Sequence, residues 1–246
     1  MQLHKITKKD ARCNTLLYGK YGSGKTVTAL KLASSVGKKI AVLDTEGRRT
    51  AVYLDQFKFD AFDVSNTHNP KDYADAIKQL ADEGYDVIIL DSLSEAWDGN
   101  KGGVLATAAE LEREPNQGEK KKTVRGQLKW VAAKADWEAM FSTMREVKSV
   151  IICTAKEKEV FDPISKKSTG EFAPVMEKNT PYWFDVVLHM DGATATVEKL
   201  VNAEEKTLGL QIAKPDEGVL QRMYNRVIAG PAAPASAEKA AVPALQ

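Results

Sequence analysis

One eight-residue stretch near the N-terminus constrains the fold more than any other feature. Gly19–Thr26 matches the pattern G-x-x-x-x-G-K-[ST] and lies between an apolar run, residues 15–18, and a helical pattern that begins at Thr26. In this pattern the glycines let backbone N–H groups turn around a phosphate, and the helix N-terminus adds positive potential. By average residue usage it arises by chance in about one per cent of chains this long. The stretch therefore predicts a strand, a phosphate-binding loop and a helix.

Two side chains of this loop have expected chemical roles. Lys25 reaches the β- and γ-phosphates of a nucleotide and supports catalysis by countering their charge. The Thr26 hydroxyl binds Mg²⁺. We therefore expect ATP with Mg²⁺ as the ligand. The expected nucleotide-binding residues are Gly19, Lys20, Tyr21, Gly22, Ser23, Gly24, Lys25, Thr26 and Val27.

Two carboxylates complete the expected site. Asp91 follows the aliphatic run 87–90, so we predict that it ends a buried strand and holds Mg²⁺ through water; an aspartate that only caps a turn is the alternative. Many ATPases place a glutamate directly after this aspartate, but this chain has Ser92 there. Glu46, after the second predicted strand, is the candidate that orients the attacking water, with Glu95 in reserve. A surface acid is the alternative for Glu46.

Short aliphatic runs alternate with helical patterns along the chain, which predicts an α/β fold with a mostly parallel sheet. A helix begins after Asn69, with Pro70 at its first position, and ends at Gly84. A longer helix, about residues 124–147, carries Trp130, Trp137 and Phe141 as expected core residues. The predicted strands of the core are 15–18, 39–43, 86–90, 149–154 and 184–190. A hairpin extension is predicted at 159–173, between the fourth and fifth of these strands, and a further strand at 195–201.

Composition limits the class of protein. The chain has 246 residues, 43% of them hydrophobic and 28% charged, as in globular proteins. No apolar run is long enough to cross a membrane and no leader is visible, so we expect a cytoplasmic protein that does not bind membranes. We expect one domain, residues 1–229, and a flexible tail rich in alanine and proline, 230–246. Because the formal charge is +1, any nucleic-acid site must be local.

These motifs carry a family resemblance. Asp44-Thr45-Glu46 after the second strand, Tyr85–Ser92 for the third, and a polar cluster after the fourth resemble the RecA-type ATPase core over about residues 13–200. With no DNA-binding domain before its opening residues 17–20, the chain is most similar to phage-encoded ATPases of the single-strand-annealing, Sak-four type. This resemblance implies slow, DNA-stimulated ATP hydrolysis, recombination on single-stranded DNA in the bacterial host cytoplasm, a single-strand-binding protein as partner, and a ring or filament.

The resemblance also implies roles for individual residues. Thr154 and Lys156 fall where the RecA core senses the γ-phosphate, although a glutamine stands near there in RecA and a solvated lysine is the alternative. DNA contact is implied for a basic loop and for the hairpin tip, where Phe161 or Phe172 would stack on a base. The basic residues expected to contact DNA are Lys120, Lys121, Lys122 and Arg125 in the loop and Lys166 and Lys167 at the tip. Lys199 and Lys206 are the candidates for a residue that acts on the nucleotide of a neighbouring subunit.

Other classes of P-loop protein stay open at this point. Lys20 stands where ParA/MinD-like partner-positioning ATPases carry a signature lysine, but Tyr21 replaces their usual glycine. Those proteins also show Asp-x-Pro-Pro where this chain has Asp91-Ser92-Leu93-Ser94. A hexameric helicase motor shares the core, yet only about a dozen residues precede the first strand, too few for the domain that such motors bring. No arginine-rich lid indicates a nucleotide kinase.

Overall fold

A computed structural model describes residues 5, 7–113, 126–202 and 207–229. The predicted tail 230–246, the basic loop residues 120–122 and 125, and Lys206 lie outside these ranges. Within them the chain forms nine β-strands. They are β1 (Thr15–Gly19), β2 (Ile40–Asp44), β3 (Asp60–Asp63), β4 (Val87–Asp91), β5 (Val150–Phe161), β6 (Ser168–Pro174), β7 (Val186–Asp191), β8 (Thr194–Leu200) and β9 (Gln211–Ala213).

The strands form one mixed sheet in the order β3-β2-β4-β5-β1-β7-β8-β9. The six strands from β3 to β7 in this order are parallel, and β8 and β9 extend the sheet antiparallel to them. β6 pairs with the outer half of β5 as an antiparallel hairpin. The α/β class and the hairpin extension are therefore confirmed. Since β5 lies between β1 and β4, it enters the site between the phosphate loop and Asp91.

Six helices of the described residues cover the two faces of the sheet. They are α1 (Lys25–Val36), α2 (Pro70–Asp82), α3 (Ser94–Asp98), α4 (Val104–Glu112), α5 (Gln127–Glu146) and α6 (Glu217–Ala229). Alternate strand residues face opposite sides, as the pleat of a strand requires. Leu16 packs in the core beneath α2 and α5, and Leu17 packs in the core beneath α1 and α6. The central strands are thus buried on both faces, which explains their unbroken aliphatic runs.

The predicted signals for α2 are present in the structure. The Asn69 side chain accepts a hydrogen bond from the Lys71 N–H at 2.9 Å, and Pro70 occupies the first helical position. Gly84, with φ of 80°, follows the helix and allows the turn into β4. Tyr73, Ile77 and Leu80 face the core as their spacing predicts.

Two expectations about the fold were wrong. The edge strand β3 was missed because its sequence, Asp60–Asp63, is short and half acidic, and its side chains are mostly exposed. Trp137 and Phe141 of α5 are buried, but Trp130 is 37% exposed rather than part of the core. Leu128 and Val131 are exposed as well, so the start of α5 contributes less to the core than its end does.

Candidate nucleotide-binding site

The glycine-rich loop connects the C-terminal end of β1 to the start of α1. Gly22 and Gly24 have φ angles of 74° and 86°, a backbone region that residues with a Cβ rarely adopt. A Cβ at Gly19 would meet the carbonyl oxygen of Met190 at 2.0 Å. Close packing of the strand ends therefore requires glycine at position 19, while the positive φ angles favour it at positions 22 and 24. The loop encloses one end of a cleft of about 800 Å³, and all nine residues predicted to hold the nucleotide line that cleft.

Lys25 points back across the loop. Its ammonium group donates to the carbonyl oxygens of Gly19 at 2.9 Å and Lys20 at 2.7 Å. Burial lowers the pKa of Lys25, and the nearby carboxylates of Asp91, Glu46 and Glu157 act in the opposite sense. A cation held at the mouth of a phosphate loop by neutral carbonyls can transfer its hydrogen bonds to phosphate oxygens.

Asp91 is the meeting point of three elements. The Thr26 hydroxyl of α1 donates to Asp91 Oδ2 at 2.7 Å, and the Thr154 hydroxyl of β5 donates to Asp91 Oδ1. Hydroxyl and carboxylate oxygens are the ligands that Mg²⁺ takes from proteins in phosphate sites, the carboxylate often through water. The predicted metal residues Thr26 and Asp91 therefore lie together, with the predicted sensor Thr154 on the other side of the carboxylate.

Burial makes Asp91 an unusual carboxyl group. Desolvation raises its pKa, and the hydrogen bonds from Thr154 and Thr26 offset only part of that effect. The carboxylates of Glu46 and Asp44 raise the pKa further by repulsion. A cation placed beside Asp91 would relieve both costs, so the local electrostatics favour a bound metal ion.

Glu46 extends into the same cleft from the loop after β2. The buried Asp44 shapes that loop, since its carboxylate accepts hydrogen bonds from the N–H groups of Glu46 at 3.0 Å and Thr50 at 2.8 Å. The Glu46 carboxylate itself accepts from the Arg49 guanidinium at 2.5 Å and from the Ser92 hydroxyl at 3.3 Å. The geometry places a carboxylate beside the phosphate loop and Asp91, where a water-orienting group is needed.

The reserve candidate, Glu95, has other partners. It accepts a hydrogen bond from Lys156 and lies 3.6 Å from His68 Nε2. Burial lowers the pKa of Lys156, but Glu95 and then Asp98 outweigh it, and the net shift is upward. Lys156 lines the cleft while Glu95 does not. The structure therefore places Glu46, and not Glu95, in the cleft.

The cleft also contains residues that sequence patterns did not single out. Arg49, Thr50 and Tyr53 reach it from the short 3-10 helix Arg49–Tyr53, and Glu157 reaches it from β5. No motif marks these residues, because their positions depend on the turn after β2 and on the length of β5. The available signal was the pair of positive charges Arg48-Arg49, which Gly47 separates from Glu46.

The hairpin leaves the sheet beside the cleft. Within β5, Lys156 and Glu157 line the cleft and Phe161 ends the strand at the hairpin turn, where it is 55% exposed. Lys166 and Lys167 lie in that turn and are exposed. Phe172 of β6 is instead packed: its ring stacks on His189 at 6.1 Å, and Lys20 Nζ lies 5.2 Å above it. Of the two aromatic rings expected to stack on a base, only Phe161 is exposed.

Lys199 lies toward the end of the strands that is opposite the phosphate loop. It pairs with Val187 near the start of β7, whereas Gly19 pairs with Met190 near the end of that strand. Its ammonium group donates to the carbonyl oxygen of Tyr182 at 3.0 Å. Lys199 is therefore remote from the phosphate loop of its own chain.

Comparisons with known proteins agree with this geometry. A family model described as an AAA domain, AAA_24, matches residues 11–219. The DNA repair and recombination protein RadB of Thermococcus kodakarensis is 29% identical over 107 residues, which are 37% of this chain and 49% of RadB. The chain thus matches about half the length of this curated relative. Across the described ranges, none of the helices is both long and apolar enough to cross a membrane.

Proposed function

The chain belongs to the AAA_24 family of AAA domains, and from that premise we propose that it hydrolyses Mg·ATP and couples the hydrolysis to binding of single-stranded DNA in recombination. Its RecA-like P-loop core supplies the class of reaction. The similarity to RadB, whose name describes a DNA repair and recombination protein, supports the process. The closer likeness to phage single-strand-annealing ATPases, and a ring or filament with a single-strand-binding protein as partner, belong to the same proposal.

In this proposal the residues of the cleft divide the chemistry between them. Lys25 and the loop N–H groups bind the phosphates, and Thr26 with Asp91 would hold Mg²⁺. Magnesium supplies charge neutralisation between the phosphates when it is bound. Glu46 accepts the proton of the attacking water or orients that water. These contacts are worth most in the transition state, where charge develops on the transferred phosphoryl group.

The continuity of β5 is the observation that carries the coupling to DNA. The same strand contributes Thr154 beside Asp91 and then Lys156 and Glu157 in the cleft. Its outer half is the first strand of the hairpin and ends at Phe161. Glu157 also contacts β7 across the intervening strand β1, because its Oε2 lies 2.8 Å from His189 Nε2. Because β5 runs without a break from the cleft to the hairpin turn, a movement of β5 caused by nucleotide would be transmitted to the hairpin tip.

The hairpin tip has the chemistry of a single-strand contact. Its two lysines can neutralise phosphates, and the exposed Phe161 ring can stack on a base. Asp162 fixes the turn by accepting hydrogen bonds from the N–H groups of Ile164 at 3.1 Å and Ser165 at 2.5 Å. A fixed turn presents the basic side chains together rather than as an unordered loop.

The test is the affinity for an unstructured DNA oligonucleotide across a salt series, with Mg·ATP present. We expect Lys166→Ala/Lys167→Ala to weaken binding and to reduce the salt slope, because each phosphate contact in a single strand releases about 0.7 counterion. The matched control is Lys71→Ala/Lys78→Ala, which removes two exposed lysines from α2. Equal loss in both variants would show that only net charge matters. No binding by the unaltered protein at low salt would refute the DNA-binding part of the proposal.

A further inference from the structure

Arg49 is the cleft residue whose position the proposed function does not explain. It lies three residues after Glu46, in the 3-10 helix that follows the turn, and its side chain is 66% exposed. One guanidinium nitrogen lies 2.5 Å from Glu46 Oε2. The neighbouring Arg48 instead pairs with Asp63 at 2.9 Å and does not line the cleft.

In this arrangement both oxygens of Glu46 are engaged. Oε2 accepts from Arg49, and Oε1 accepts from the Ser92 hydroxyl at 3.3 Å. A carboxylate that already accepts a charge-assisted hydrogen bond is a poorer acceptor for the proton of a water molecule. Glu46 therefore gains water-orienting power when Arg49 moves away from it.

The terminal phosphate of a nucleoside triphosphate is a natural alternative partner for Arg49. The planar guanidinium pairs with carboxylate and phosphate through the same donor geometry. Solvent screens an ion pair whose arginine is this exposed, so a phosphate in the cleft can compete with Glu46 for Arg49. The other basic side chains of the cleft have different partners: Lys20 pairs with Asp191, Lys25 donates to loop carbonyls, and Lys156 pairs with Glu95.

We propose that Arg49 exchanges between Glu46 and the terminal phosphate of bound ATP, and so senses that phosphate within its own subunit. The exchange gives affinity for the triphosphate over the diphosphate and frees Glu46 only when a hydrolysable phosphate is present. Arg49 acts on the reaction through Glu46 and is a positioning residue. This inference rests on the proposed nucleotide site.

The test is a double-mutant cycle on nucleotide affinity, measured by calorimetry with Mg²⁺ and either the non-hydrolysable analogue AMP-PNP or ADP. Arg49→Ala should weaken AMP-PNP binding about 5- to 10-fold and leave ADP binding nearly unchanged, since only the triphosphate reaches the arginine. Glu46→Gln should tighten AMP-PNP binding by up to about fivefold, because the arginine no longer has to leave a carboxylate. In the Arg49→Ala background, that gain from Glu46→Gln should disappear.

A simple charge effect predicts the opposite behaviour in the cycle. If Glu46 only repels the nucleotide, the gain from Glu46→Gln persists or grows when Arg49 is absent, and the exchange is refuted while the nucleotide site stands. Arg48→Ala is the matched control, and an equal loss of AMP-PNP affinity in that variant would also refute it. Failure of the unaltered protein to bind either nucleotide would overturn both the exchange and the proposed function.

Discussion

The hydroxyl of Thr26 donates a 2.7 Å hydrogen bond to the carboxylate of Asp91. Thr26 belongs to the first turn of α1, and Asp91 ends β4, which is separated from β1 by β5. The two residues are 65 positions apart in the sequence. The contact brings two Mg²⁺-binding residue types together at the edge where the phosphate loop begins, so the sheet order itself assembles the candidate site.

Lys25→Ala should abolish ATP binding and leave the fold intact. Its ammonium group donates to the Gly19 and Lys20 carbonyls at the mouth of the loop, and backbone N–H groups alone do not replace a cation against the phosphates. The measurement is nucleotide titration by calorimetry, with circular dichroism to confirm folding. Unchanged affinity in a folded variant would reject the phosphate-loop assignment.

Glu46→Gln should separate binding from hydrolysis. A water-orienting carboxylate acts mainly in the transition state, so the variant should bind ATP yet hydrolyse it about a hundredfold or more slowly. Steady-state kcat and KM provide the measurement. Glu95→Gln is the comparison, because Glu95 pairs with Lys156 but does not itself line the cleft. A dead Glu95→Gln beside an active Glu46→Gln would show that the RecA-type assignment is wrong.

Asp91→Asn should stabilise the protein in the absence of nucleotide. Because burial raises the pKa of Asp91, the folded state favours the protonated acid, and its charge costs stability at neutral pH. The variant should therefore melt at a higher temperature than the unaltered protein at pH 7, and each 1 kcal/mol gained would appear as about 2–4 °C in a domain of this size. That advantage should shrink as the pH falls toward 3.8, where the unfolded acid also becomes protonated.

The same variant should lose stabilisation by nucleotide. Mg·AMP-PNP should raise the melting temperature of the unaltered protein, since a ligand that binds only the folded state stabilises it. In Asp91→Asn the rise should be smaller, because the carboxylate that favours the metal ion is gone. A lower melting temperature without ligand, or an equal rise with it, would contradict the role assigned to Asp91.

The basic loop outside the described ranges is the second candidate DNA contact. Replacing Lys120, Lys121, Lys122 and Arg125 with alanine should weaken single-stranded DNA binding and flatten its salt dependence together. The measurement is the same salt series with ATP present. If the variant matches the unaltered protein in affinity and slope, DNA contact belongs to another surface, and the hairpin tip becomes the principal candidate.

Local patterns predicted most of the parallel sheet. The buried strands appear as aliphatic runs because both faces are covered, and Asn69, Pro70 and Gly84 mark the ends of α2. The edge strand β3 escaped prediction because an exposed edge has no such requirement, and half of its residues are aspartate. Its pairing with β2 is a long-range contact that no local pattern shows.

The sequence predicted the residues of the site that belong to a motif. It did not predict the residues whose place in the cleft depends on how distant elements pack together. The loop residues and Asp91 follow from their positions at strand ends, and the resemblance indicated Glu46. Arg49 and Glu157 enter the cleft through the turn after β2 and through the extension of β5, and no motif marks either of them. Phe172 could not be told from Phe161 by sequence, because its packing depends on His189, a residue of β7.

The most direct test of the whole account is steady-state ATP hydrolysis with and without single-stranded DNA, for the unaltered protein and for Glu46→Gln. The account predicts slow hydrolysis that DNA stimulates in the unaltered protein, and hydrolysis in Glu46→Gln that stays about a hundredfold or more lower under both conditions. Hydrolysis that does not respond to DNA, or that persists in Glu46→Gln, would contradict it.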